Sequence, residues 1–358
     1  MSRKEILLAC FIHSRPQNRT LQSADRQWPL SIPPKKPRAL ALVGAILLVA
    51  ISFASCNRQG DVKKVDLNRT EEVKDIIKEP SKIKIGLVPE QDIRKMAARY
   101  EPLAEYLSKK LDKEIVLVYL DSYGEVCDKF IYKQLDAAFF GSFSYALTHV
   151  KAGVEPIARP DYQGTSTYRG LIVVRKDSNI KNIIDMRGKR LALVHQATYA
   201  GYLYPLYYFK EHGIKDLEGY FSKIIFAGIH DKAIFALLKN EADVACPKDL
   251  IYQRIIKENP DLEKKLVILS ASGPVPSNAL CVSKDLDPIL KNKLKDALLN
   301  LHKEIEAVPV LESLDADKFI ETKDSDYQHL YDTINALGID LNTYLYYERP
   351  DMGFDRAR

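Results

Sequence analysis

The sequence predicts an α/β protein with mainly parallel sheets arranged in two lobes. Short runs rich in Val, Ile and Leu alternate with longer helical stretches from Ser81 to about Ser283, the pattern of βα units. The alternation occurs as two series, one before Arg175 and one after it. Roughly 280 residues lie from Ser81 onward, enough for two lobes of ordinary domain size. No self-similarity at periods of about 20 to 50 residues is evident, which argues against solenoids and propellers.

The first series opens on Lys82 to Val88 (KIKIGLV), a strand-length run closed by Pro89. An amphipathic helix follows from about Asp92 to Leu111. Ile115 to Leu120 reads as the next strand, a helix from Tyr123 to Lys133 leads to the strand Ala137 to Phe140, and Gly141 and Ser142 open the helix carrying Tyr145 and Leu147. Ile157 and then Leu171 to Val174 continue the pattern. In the second series Lys189 to Val194, Lys223 to Phe226, Asp243 to Ala245 and Leu266 to Leu269 read as strands. Helices over Thr198 to Glu211, His230 to Lys239 and Asp249 to Lys257 separate them. After Pro274 and Pro276 the strand Ala279 to Val282 returns the chain to the first lobe, and helices near Pro288 to Ala307 and Asp326 to Leu337 finish it. The expected lobes are 81–172 with 276–358, and 173–275.

The N-terminal part stands outside this pattern. Residues 1–34 lack a sustained apolar period and hold the only tryptophan, Trp28. Lys35, Lys36 and Arg38 then precede an apolar run from Ala39 to Phe53, and the small residues Ala54 and Ser55 precede Cys56. That order of basic, apolar and small segments is the order of an export signal. The run is shorter than the ~20 residues a membrane span needs. Cys56 so placed resembles a lipoprotein processing site, where the thiol is acylated and the chain is cut in front of it, although Phe53 stands where Leu is usual. An uncleaved anchor helix is the other reading, and both put the rest of the chain outside the cytoplasm. Residues 1–55 thus read as N-terminal extension and signal, and 56–80, charged and without aromatics, as a flexible tether.

The signal also explains the charge. The chain has 53 Lys+Arg and 48 Asp+Glu, and eight of the former and two of the latter lie in residues 1–55. The remainder holds 45 basic and 46 acidic groups, net −1, without the basic surface that phosphate-backbone contacts need, so nucleic acid is not an expected partner. Beyond Cys56 only Cys127, Cys246 and Cys281 remain, with no CxxC or Cys/His cluster, so neither a metal nor another cofactor is expected.

Several segments, in order, resemble the phosphate, phosphite and phosphonate binding proteins of ABC importers, a type II periplasmic-binding-protein family. They are Tyr100-Glu101-Pro102-Leu103-Ala104 with Tyr106-Leu107, Asp136 to Gly141 with Tyr145, Val173 to Ser178, Met186 to Arg190, Gly201 to Pro205, His230-Asp231 and Pro274-Val275-Pro276. The resemblance implies a two-lobed fold with a ligand cleft between the lobes. It also implies a small anionic ligand, a permease and its ATPase as partners, and a monomer; together with the signal before Cys56 the expected place is lipid-anchored in the cell envelope. One segment departs: where the family has Ser-Thr-Ser-Gly opening a helix, this chain has Thr198-Tyr199-Ala200-Gly201.

Helix starts are natural anion sites, because their first N–H groups lack intrahelical partners and lie at the positive end of the helix dipole. Two are visible, at Gly141 to Ser144 and at Thr198 to Gly201. Thr198 and Ser142 offer hydroxyls, Ala200 and Gly201 offer peptide N–H groups, and Tyr199 offers a phenol in place of the missing hydroxyls. By resemblance His230 contacts the ligand, and Tyr123 and Tyr168 match tyrosines near it. Asp243, at a strand end, offers a carboxylate to an amino group on a ligand. Ordinary roles stay open for each: a helix cap for Thr198, solvent for His230 and Asp243, packing for the tyrosines. No catalytic residues are expected, since Walker A, GxGxxG, HExxH and GxSxG patterns are all absent. A sensory lipoprotein of the same fold and, further off, a periplasmic enzyme are the alternatives.

Overall fold

The computed structural model describes residues 82–347. The signal-like run, Cys56 and the tether lie outside the described residues. The first strand, β1 (Lys82–Leu87), buries Ile83 and Ile85 at alternate positions. Helix α1 (Ile93–Leu111) starts where the Asp92 carboxylate accepts the Arg94 N–H at 3.0 Å and ends at Asp112 in the left-handed region. Its buried Met96, Tyr100, Leu103, Leu107 and Leu111 recur every three or four residues, so one face packs on the sheet. Next come β2 (Glu114–Tyr119), α2 (Tyr123–Ile131), β3 (Ala137–Phe140), α3 (Ser142–Ala152), β4 (Glu155–Asp161) and β5 (Thr167–Tyr168).

The second series consists of β6 (Leu171–Arg175), β7 (Arg190–Leu193), α4 (Tyr204–Glu211), α5 (Leu217–Tyr220), β8 (Lys223–Phe226), α6 (His230–Leu238), β9 (Val244–Ala245), α7 (Asp249–Glu258) and β10 (Leu266–Ala271). The chain returns through β11 (Val275–Pro276) and β12 (Ala279–Val282). It closes with α8 (Pro288–Asn300), α9 (Val308–Leu314), β13 (Lys318–Glu321) and α10 (Gln328–Leu337).

Two sheets result. The first has the order β13-β4-β12-β3-β1-β2 and the second β10-β6-β9-β7-β8. In each, the strands joined by crossover helices are parallel: β2 and β3 on β1, and β8 and β9 on β7. Strands that enter from the connection between lobes, β12 and β6, pair antiparallel, so each sheet is mixed. The α/β, two-sheet architecture with helices as connections is the one expected, but the sheets are mixed rather than mainly parallel, since β4, β13 and β10 also pair antiparallel.

The connection itself is a two-stranded ribbon in which Tyr168 of β5 pairs with Val275 of β11, and Thr167 with Pro276. The expected boundary at 172/173 falls inside β6, and the ladder carries that whole strand with the second sheet. A third passage follows β13, because α10 packs against α4 of the second lobe. One core gathers Ile83, Ile85, Leu107, Leu290, Leu294 and Leu298. The other runs from Val173, Leu191, Ile234 and Val244 through Val126, Phe143 and Leu147 to Leu330 and Ile334, joining the two lobes and α10.

Two helices differ from expectation. Residues Tyr199–Leu203 form a wide π turn, and the α-helix begins only at Tyr204. Within the turn Gly201 is pressed against Val194, just past β7: a Cβ there would lie 2.4 Å from Val194 Cβ, an approach that glycine allows. The stretch Pro288 to Ala307 likewise splits, α8 ending at Asn300 before two short 3₁₀ turns.

Candidate functional site

The carboxyl ends of the parallel strands point at one another across the two lobes. In open α/β sheets the loops leaving those ends carry the binding groups. From the first lobe come Glu90 after β1, Tyr123 after β2 and Ser142 after β3. From the second come His195 and Thr198 after β7, His230 after β8 and Lys248 after β9. Tyr168 enters from the ribbon.

The geometry brings these residues together. The Tyr123 ring lies 5.8 Å from the His195 ring and 6.1 Å from that of His230, centroid to centroid. Its hydroxyl is buried and has no hydrogen-bond partner. Burial pushes that phenol far up, with Glu90, Tyr168 and Asp231 adding to the effect through their charge, so it is a neutral O–H donor. The Ser142 N–H, first of α3, donates to the Tyr168 hydroxyl at 3.3 Å, and Ser142 Oγ donates to the Pro276 carbonyl at 2.8 Å. Neither α3 nor α6 has a side-chain cap, since Gly141 and Ile229 precede them.

Both histidines are held neutral. Burial brings His230 down to about 3, against the opposing charge of Glu90, and brings His195 down to about 4. His230 Nδ1 accepts the Lys248 N–H at 3.2 Å, and His195 Nδ1 accepts the Ala197 N–H at 3.0 Å. A neutral imidazole that accepts at Nδ1 carries its proton on Nε2, so each ring offers one N–H donor. Lys248 Nζ meets Glu90 Oε1 at 2.6 Å, donates to Asn278 Oδ1 at 3.0 Å and sits 4.3 Å from the Tyr168 ring centroid. Burial pushes the Glu90 carboxyl up, but Lys248, with Arg254 and His230, outweighs it and holds the group at about 2. A cavity of about 280 Å³ lined by Val88, Gln91, Asp121, Ile229 and Lys232 lies beside this cluster.

Donors therefore dominate: two imidazole N–H groups, a free phenol, an ammonium and two uncapped helix starts. Such a set suits a small oxyanion. Among the described residues no group of three His, Cys, Asp or Glu is placed to hold a metal ion. Cys127, Cys246 and Cys281 are free and buried, with burial pushing Cys127 up to about 12.

The family model for the phosphonate ABC transporter periplasmic substrate-binding protein matches residues 85–327. The chain belongs to that family. It is thus a periplasmic substrate-binding protein of the ABC-importer type. The phosphate-import protein PhnD of Mycolicibacterium smegmatis is 26% identical over 227 residues, 60% of this chain and 70% of that protein. A binding component of an ABC phosphonate transporter from Pseudomonas aeruginosa superposes with a TM-score of 0.67 at 20% identity, over 72% of this chain and 86% of the other. PhnD1 of Prochlorococcus marinus, solved with methylphosphonate, gives 0.66 at 22%, over 73% and 99%. At such identities the structural likeness speaks for the fold, the type II periplasmic-binding-protein fold.

Set in this family fold, the expected site residues divide. Tyr123, Ser142, Tyr168 and His230 converge. Thr198 adjoins them, but its hydroxyl proton goes to the His195 carbonyl at 2.6 Å, so it fastens the loop. Tyr199 packs edge-on against Tyr168 at 6.2 Å with its hydroxyl facing Ser272 and Thr333. Ala200 and Gly201 are buried in the π turn against Gly170 and Val194. Asp243 is a correction. It holds Arg190 through paired 2.9 Å bonds at the start of β7, the end of the sheet opposite the cleft. The sequence reading missed Glu90, His195, Lys248 and Asn278. The signal was there: each of the first three follows a parallel strand's carboxyl end.

Proposed function

We propose that the cleft captures a small phosphorus oxyanion, a phosphonate, phosphite or phosphate, and presents it to a membrane permease driven by a partner ATPase. The observation that carries this reading is the unpartnered, buried Tyr123 hydroxyl, set among two neutral imidazoles at the mouths of α3 and α6. A buried O–H without an acceptor costs roughly 1–3 kcal/mol, which a bound oxyanion recovers. Two relatives point to that chemistry: one is named a phosphate-import protein and another is solved with methylphosphonate.

Titration of residues 57–358 with methylphosphonate, phosphite, phosphate, sulfate and several amino acids tests it. Binding confined to the phosphorus compounds is the expected result, and binding of amino acids alone would remove the reading. Tyr123→Phe separates ligand from fold: we expect affinity about tenfold or more lower, with ligand-free stability equal or higher, since the orphaned hydroxyl is gone. An unchanged affinity would mean that the phenol faces no ligand.

The chain works as a monomer, with lobes divided at the ribbon of β5 and β11 and tethered to the membrane by acylated Cys56. The order of basic, apolar and small residues before Cys56 supports the anchor. Release from membranes by salt alone, without detergent, would refute it.

A further inference from the structure

Glu90 and Lys248 belong to different lobes, yet their side chains meet at 2.6 Å with only 8% and 4% of their surfaces exposed. Among the described residues Lys248 is the only buried lysine or arginine. Its ammonium lies over the Tyr168 ring, whose hydroxyl takes the first N–H of α3, and its peptide N–H reaches His230. The charge is therefore set among the donors of the cleft. A buried ion pair is a poor fastening, because desolvating both charges offsets most of their attraction and an apolar pair of like volume holds as well. A carboxylate does, however, imitate an oxyanion in charge and in its acceptor atoms.

We propose that Lys248 is a ligand-binding residue, and that the Glu90 carboxylate occupies the oxyanion's place on it until ligand arrives. Binding is then an exchange of one anion for another on a single ammonium. Lys248 is never left bare, and a neutral solute has nothing to offer it. Selectivity for anions follows from that exchange, and affinity is set by how much of the time Glu90 yields. The inference rests on the oxyanion reading of the cleft.

Calorimetric titration of the wild-type protein, Glu90→Gln, Lys248→Met and the double variant with phosphate, phosphite and methylphosphonate tests it, alongside thermal denaturation of each ligand-free protein. Glu90→Gln, which competes less for the ammonium, is expected to bind about fivefold tighter or better. Lys248→Met is expected to bind at least about tenfold weaker. The double variant removes both charges and so avoids the stranded carboxylate that can unfold Lys248→Met; it is expected to bind as weakly as Lys248→Met. Equal weakening by Glu90→Gln and Lys248→Met, or a double variant within about threefold of wild type, would make the pair a clasp between lobes and overturn the inference alone. Wild-type protein that binds none of the three anions would remove the oxyanion reading and this inference with it.

Discussion

His230 shows what a single buried side chain commits the protein to. Its ring is almost fully covered and is held at about 3, and the partly covered His195 at about 4, against 6.5 for an exposed imidazole. In the unfolded chain both take up a proton as pH falls through 6.5, whereas the folded protein refuses it until near 4 and 3. Their stabilisation is therefore complete above pH 6.5 and drains away below it, by up to about 1.4 kcal/mol per pH unit for His230 and less for His195. Glu90, held at about 2 against 4.5, extends the loss below pH 4.5. We expect the melting temperature of the ligand-free protein to fall by several degrees between pH 7 and 5, and the double substitution His195→Gln with His230→Gln to flatten that profile. A wild-type melting temperature that holds steady over this range would contradict the burial of these rings.

Elements were more legible than side chains. The alternation of Ile83, Ile85 and Leu87 and the three-four spacing from Met96 to Leu111 are local signals, and β1 and α1 stand where those signals put them. The wide turn at Tyr199–Leu203 was not legible, and the close packing of Gly201 on Val194 within it is a tertiary contact that local periodicity does not encode. Asp243 misled for a similar reason. A carboxylate beside a strand gives no hint of which end of the sheet it occupies until Arg190 is seen to claim it. Lys248 reads in CPKDLIY as an ordinary charged helix start, and Glu90 in VPEQD as a solvated turn. Their burial exists only because the two lobes meet, which no local period records. The rule that binding groups follow the carboxyl ends of parallel strands would have flagged both.

At the scale of the whole molecule, the lobes are drawn together by more than the cleft. Near the end of the described residues, the Tyr344 hydroxyl donates to the Gln196 carbonyl at 2.9 Å and the Tyr346 hydroxyl to Asp128 at 2.8 Å, so one short segment spans the second-lobe loop and α2. Lys95 and Glu258 add a more exposed bridge at 2.8 Å, of small weight by itself. Tyr344→Phe with Tyr346→Phe removes two bonds of about 1 kcal/mol each and shifts the balance toward an open form. We expect small-angle scattering of the ligand-free double variant to give a larger radius of gyration than wild type, and bound ligand to leave it faster. Identical scattering and release rates would show that the segment plays no part in closure.

The ribbon of β5 and β11 has a neighbour in the passage from β13 to α10, anchored by Tyr145 and Tyr331 on Asp324 and by Arg159 on Asp326. Three lengths of chain side by side bend as the spine of a book bends, but they resist being wrung. We therefore expect the halves to part and meet along one arc. If the cleft takes the anion proposed for it, a page that always falls back on the same line brings Tyr123 and His230 to the same register at every turn, and that repeatability would let a pocket shared between two halves weigh one substituent on an anion against another.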